Sequence, residues 1–143
     1  MVKNQKFPKN ILTPTTKAAD HDVPVTPDEI IEKGLMTRVD YVEASEKALS
    51  LFEYGHQVAL KHGLILVDIK FEFWKANDGS VLLIDEVHTP DSSRYWIANS
   101  YLERIQNGLE PENGDKVLPV APEDLVYELA WQHVYRPCVR FLV

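Results

Sequence analysis

Between Arg38 and His62 the apolar and small residues Val42, Ser45, Leu49, Phe52, His56 and Ala59 recur at alternating spacings of three and four. That period predicts a long helix with one face turned to a core, ended by Gly63. Ahead of it, "TPDEIIEKG" carries Thr26 as a cap, Pro27 at the first helical position and Glu29 three residues after the cap, with Gly34 as the stop. A short helix is expected there. Residues 1–25, rich in Pro and Thr, read as an extended segment.

After Gly63 the period changes to two. "LILVDIKFEF" (64–73) and "VLLIDEV" (81–87) are rich in β-branched and aromatic residues and flank Asp78-Gly79. This predicts an antiparallel hairpin closed by a two-residue turn. Strict alternation sends Ile65, Val67, Ile69, Phe71 and Phe73 to one face and Leu64, Leu66, Asp68, Lys70 and Glu72 to the other. Counting back from a two-residue loop puts Glu72 opposite Asp85. "SYLERIQNG" suits a short helical piece, and Ala121 to Tyr135 a proline-started helix within a divergent C-terminal part, residues 117–143. The fold class expected is α+β, a hairpin within a larger sheet packed by helices, in one partial domain covering 1–143.

Composition narrows the function classes. The 143 residues carry a net charge of −7, with 45% hydrophobic and 26% charged positions. Lysines and arginines are scattered, so no nucleic-acid partner is expected. Cys138 is the single cysteine, which excludes an intramolecular disulfide and a multi-cysteine zinc site. No apolar run reaches membrane-spanning length, and the start shows neither a secretory nor an organelle leader. No membrane partner is expected, and a cytoplasmic location is the default.

The chemistry concentrates in the hairpin and in "IDEVHTPDSSRYW" (84–96). Two directly opposed carboxylates repel and need compensation. Lys70 supplies part of it, and a magnesium ion, which takes one or two carboxylates and leaves its other positions to water and phosphate, would supply more. A surface salt-bridge ladder explains the same residues without a metal. Beyond Asp85 come Asp91, Ser92, Ser93 and Arg94, suited to an anionic substrate because a guanidinium offers a fork to phosphate or carboxylate. A capped turn, its serines satisfying backbone groups, is the plain alternative.

"GLILVDIKFEF" followed by "LLIDEVHTPDSSRYW" resembles the paired signature of the SAICAR synthetase family, phosphoribosylaminoimidazole-succinocarboxamide synthases, in a plant-like form. The similarity extends through "ILTPTTKAADHDVPVT" upstream and "NSYLERIQNGLEPEN" downstream. It implies a purine-biosynthesis ligase that joins L-aspartate to carboxyaminoimidazole ribonucleotide at the expense of ATP, with Mg²⁺ assisting. By the same resemblance Lys70, Glu72 and Asp85 are the catalytic positions, with Glu72 and Asp85 at the metal. Asp91, Ser92, Ser93 and Arg94 are implied at the ribonucleotide, and Lys17, Asp20, His21 and Asp22 near the substrates. Full-length plant forms of the family are directed to chloroplasts.

Three departures qualify the likeness. Trp74 stands where the family strand motif ends in glycine. Gly34, Gly55, Gly63, Gly79, Gly108 and Gly114 are dispersed and form no phosphate-cradling loop. The stretch after "GDK" leaves the family pattern. The chain is therefore expected to resemble the C-terminal half of the fold without its ATP lobe, with a homo-oligomer or a lobe supplied by another chain as ways to complete it. A non-catalytic segment that binds ribonucleotide or a partner subunit is the alternative.

Overall fold

The computed structural model describes residues 3–16, 22–85, 87–89, 91–114 and the backbone of 139–142. Its elements are β1 (Thr13–Thr16), β2 (Val23–Pro24), α1 (Pro27–Glu32), α2 (Arg38–Lys61), β3 (Leu64–Lys75), β4 (Val81–Ile84), β5 (Ser93–Ile97), α3 (Ala98–Gln106) and β6 (Val139–Leu142). This is an α+β arrangement. Every named strand pairing is antiparallel, in the order β2-β1-β6-β3-β4, with β5 also on β3. The helix expected at 121–135 lies outside the described residues, as does most of the 117–143 part.

The helices follow their local signals. Thr26 accepts a hydrogen bond from Glu29 N at 3.2 Å, while the Glu29 carboxylate accepts from Thr26 N at 2.7 Å, a reciprocal cap that starts α1 at Pro27. Thr37 caps α2 by accepting from Asp40 N at 3.2 Å. At the other end Gly63 takes φ +74, the left-handed conformation that stops a helix without a Cβ clash.

The buried face of α2 differs from the one expected. Asp40, Ala44, Ala48, Phe52, Gly55 and Ala59 turn inward, while Val42 is half exposed. The face is rotated because the sheet selects small residues. Ala44, Ala48, Gly55 and Ala59 let the helix axis approach β3, where Ile69, Phe71 and Phe73 supply the bulk.

Strand β3 departs from strict alternation too. Leu64, Leu66, Ile69, Phe71 and Phe73 are all buried, so the core residues change parity at Val67. Pairing explains the change: Leu66 faces Tyr95, Asp68 faces Arg94, and Val67 is the extra residue of a β-bulge. The bulge keeps Leu66 and Ile69 on one side. Asp68, Lys70 and Glu72 consequently run along the other.

The hairpin register is one residue off the expected count. Glu72 pairs with Ile84, Phe73 with Leu83 and Trp74 with Leu82. Ala76 N donates to Ser80 O at 2.8 Å and Gly79 N to Ala76 O at 3.0 Å, so the loop is Asn77-Asp78-Gly79. A two-residue type I′ turn needs positive φ at Asp78 as well as Gly79, and only Gly79, at φ +91, has it. The Asp78 carboxylate instead accepts from Ser80 N and Ser80 Oγ at 2.9 and 2.6 Å, holding the longer loop closed.

Residues 84–96 also form more sheet than expected. Ser93–Ile97 is strand β5, and Val139–Leu142 joins the sheet between β1 and β3. Neither strand shows strong local alternation; each exists because β3, twelve residues long, offers edges to pair.

Candidate functional site

Three charged residues, Asp68, Lys70 and Glu72, follow one another at every second position on a single face of β3. Successive same-face residues are about 6.6–6.8 Å apart, a spacing that lets one anion or metal bridge neighbours. Glu72 is buried at 2% exposure, and Lys70 Nζ lies 4.0 Å from its Oε1. In the β3–β6 register Arg140 stands opposite Glu72. Burying a carboxylate is unfavourable unless a cation accompanies it, and Lys70 is such a cation beside Glu72.

Arg94 completes the face. Its Nε donates to Asp68 Oδ1 at 2.8 Å and its Nη2 to Oδ2, a two-point pair across β3 and β5. The Arg94 side chain is 71% exposed and that of Asp68 16%, so the pair presents cationic surface on an anchored stem. Alternation alone gives Asp68 a place on the ionic face and no role. No local signal marks the bulge that brings it to Arg94, because Ile65 and Val67 are apolar as well and continue in step with Ile69, Phe71 and Phe73.

Asp85 is not opposite Glu72. It follows Ile84, the residue that is, and stands exposed at φ +70 where the strand ends. The two carboxylates expected side by side are therefore offset by one residue, the direct result of the three-residue loop. Among the described residues no group of three or more His, Cys, Asp or Glu gathers as a metal cage.

The serines serve the turn. Ser92 N donates to Thr89 O at 3.2 Å, Thr89 N donates to Ser92 Oγ at 3.2 Å, and Ser93 Oγ donates to Thr89 O. Both serines are buried, while Asp91 is exposed beside them. Asp22 is exposed ahead of β2; Lys17, Asp20 and His21 lie outside the described residues. Trp74, half-buried and opposite Leu82, lies on the Glu72 side of the strand.

His88 carries a signal that its sequence position did not reveal. Burial lowers its pKa from the ordinary histidine range, although the Leu51 carbonyl pulls the other way. The ring stands edge-on to Phe71, with centroids 5.9 Å apart.

Asp68, Lys70 and Glu72 on β3, with Arg94 of β5 paired to Asp68, thus form one charged face of an α+β protein. The SAICAR synthetase family model matches residues 1–118, and the chain belongs to that family. It is 73% identical to the chloroplastic phosphoribosylaminoimidazole-succinocarboxamide synthase of Vigna aconitifolia over 88% of this chain and 42% of that protein. Against the enzyme of the same name from Legionella pneumophila (strain Lens) it is 47% identical over 92% of this chain and 48% of that one. A solved SAICAR synthetase (Type-2) in complex with ADP superposes with a TM-score of 0.64 at 26% identity, covering 82% of this chain and 46% of the other. The chain thus spans less than half the length of these relatives. No helix among the described residues is long and apolar enough to cross a membrane.

Proposed function

We propose that this chain carries the substrate-side half of a SAICAR synthetase, the ligase that joins L-aspartate to carboxyaminoimidazole ribonucleotide while ATP becomes ADP and phosphate. The observation that carries the reading is the charged row Asp68, Lys70 and Glu72 with Arg94 beside it, within the stretch matched to the family. Lys70 is placed to neutralise negative charge on substrate, and Arg94, held by Asp68, to grip an anionic group of the ribonucleotide with Asp91 and the Thr89–Ser93 turn. Holding the acyl group and the attacking amine in line is the entropic part of such a reaction.

Glu72 and Asp85 would hold Mg²⁺. A one-residue offset puts side chains on opposite faces of a regular pair, so Asp85 would reach the ion from the point where it leaves the strand at φ +70, and water and phosphate would fill the ion's other positions. Bound there, the ion would offset charge on the phosphates. The neighbouring cations would share that task. Lys17, Asp20, His21 and Asp22 are proposed near the substrates on family resemblance alone. The full-length plant form is assigned to the chloroplast, following the printed name of the Vigna relative.

A second reading is a ribonucleotide- or subunit-binding segment without turnover. Aspartate- and ATP-dependent product formation, followed by mass spectrometry with Mg²⁺ present, separates the two. Product that disappears in a Glu72→Gln, Asp85→Asn double variant supports a self-sufficient ligase. A folded chain that binds the ribonucleotide but yields no product supports the half-site. A chain that does neither removes the functional reading of this face.

A further inference from the structure

His88 sits in a notch that only glycine leaves open. A Cβ built on Gly55 of α2 would lie 2.1 Å from His88 Cε1 and 2.7 Å from each ring nitrogen, closer than any real contact. Glycine in a helix interior is otherwise unfavourable relative to alanine, so its presence at the buried face of α2 needs a reason. The ring supplies one.

Three further observations meet at the same residue. The ring edge rests on Phe71, which lies between Lys70 and Glu72 on β3. The His88 carbonyl accepts a hydrogen bond of 3.4 Å from Tyr95 OH on β5. His88 itself takes φ +57, a backbone conformation that an L-residue holds only when its surroundings enforce it. Both ring nitrogens are buried.

We propose that His88 is a positioning residue: seated against Gly55 and Phe71, it fixes the chain between Asp85 and the Thr89–Ser93 turn, and so sets Asp85 relative to Glu72. The connection is short on both sides. Asp85 is three residues before His88, and Thr89, whose carbonyl receives Ser92 N and Ser93 Oγ, is the next residue after it. Through Phe71 the same ring bears on the strand that carries Lys70 and Glu72. This inference rests on reading Glu72 and Asp85 as a metal pair, but its first two tests do not.

The first test is a change of sign. Gly55→Ala lowers the melting temperature in the wild-type background, because the methyl meets the ring, and raises it in a His88→Ala background, because only the helix preference remains. A substitution with the same effect in both backgrounds overturns the seat. If Gly55→Ala alone fails to fold, a folded double variant supports the seat, and a double variant that also fails overturns it.

The second test separates positioning from general stability. Amide hydrogen exchange at Ser92, with the Asp85 amide shift, is compared in His88→Ala and in Ile30→Ala, a core truncation in α1, at matched global stability. Exchange at Ser92 at least tenfold faster in His88→Ala only, with the Asp85 resonance moved, is the expected result; equal behaviour in the two variants overturns the proposal.

The third uses Mg²⁺ alone, titrated against the wild type and His88→Ala. About tenfold weaker binding in His88→Ala, with Ile30→Ala unchanged, supports the role. Unchanged affinity in His88→Ala overturns it. A wild type that binds no Mg²⁺ sinks the metal reading of Glu72 and Asp85, and the exchange experiment then decides the positioning by itself.

Discussion

Asp40 is a buried carboxylate far from the ionic face, and its environment explains why it stays charged. Lys75 Nζ donates to both of its oxygens, at 2.9 and 2.7 Å, and Thr37 Oγ1 donates to Oδ2 at 2.7 Å. Lys75 first and Thr37 second hold its pKa below the usual aspartate value, against the opposing effect of burial. A lowered pKa means that the unfolded chain binds more protons on acidification, so the stability that Asp40 contributes is present above about pH 4 and is lost as the pH falls through its folded pKa. Asp40→Asn is expected to lower stability at pH 7 by roughly 1.5–3 kcal/mol, the range for hydrogen bonds to charged groups. Urea midpoints measured from pH 7 down to pH 3 check this: the gap between wild type and variant should narrow steadily toward the acid end. A constant gap would mean that the loss comes from packing rather than charge.

The elements show where local signals suffice and where they do not. Both N-terminal helices begin at a threonine cap and stop at or just before a glycine, as their sequences indicate, because capping is settled within a few residues. Register is different. Whether Glu72 faces Asp85 or Ile84 turns on whether Asp78 adopts positive φ, and the Asp78–Ser80 hydrogen bonds that decide the matter cannot be seen in the dipeptide Asp-Gly. The bulge at Val67 has no local signal, since residues 64–67 are all apolar, and its cause, the partner strand β5, lies about thirty residues away in sequence, a non-local pairing. The placement of the candidate residues was legible in part: Lys70 and Glu72 share a face as alternation requires, whereas Asp85 stands one residue from its expected register, and Ser92 and Ser93 hydrogen-bond to Thr89. Gly79→Ala tests the hairpin argument. No atom lies within 4 Å of the added Cβ, so the whole penalty is the left-handed backbone, about 1–2 kcal/mol. Denaturant unfolding should show that loss without a change in slope; no loss would mean that the loop closes without a left-handed residue at position 79.

For the whole molecule, the issue is whether the ionic face exists for stability or for a ligand. A buried ion pair is a weak source of stability, because removing the charges from water opposes most of their attraction. Glu72 at 2% exposure, with Lys70 Nζ 4.0 Å away, is an expensive arrangement for a protein that needs only a fold. The apolar side of the same strand already supplies the core through Ile69, Phe71 and Phe73. Glu72→Gln keeps the shape and removes the charge, so two outcomes diverge. If the face is kept for binding, stability should stay within about 1 kcal/mol of wild type or rise, as at sites where function is held at the expense of stability, while Mg²⁺ and ribonucleotide affinity fall. If the carboxylate is structural, the variant should lose about 3–5 kcal/mol, the range for breaking a buried pair by removing one partner. Melting curves and isothermal titration on the same preparation decide between them, and the first pattern is the one expected from a strand that sets acid, base and acid in a row beside an arginine anchored by Asp68.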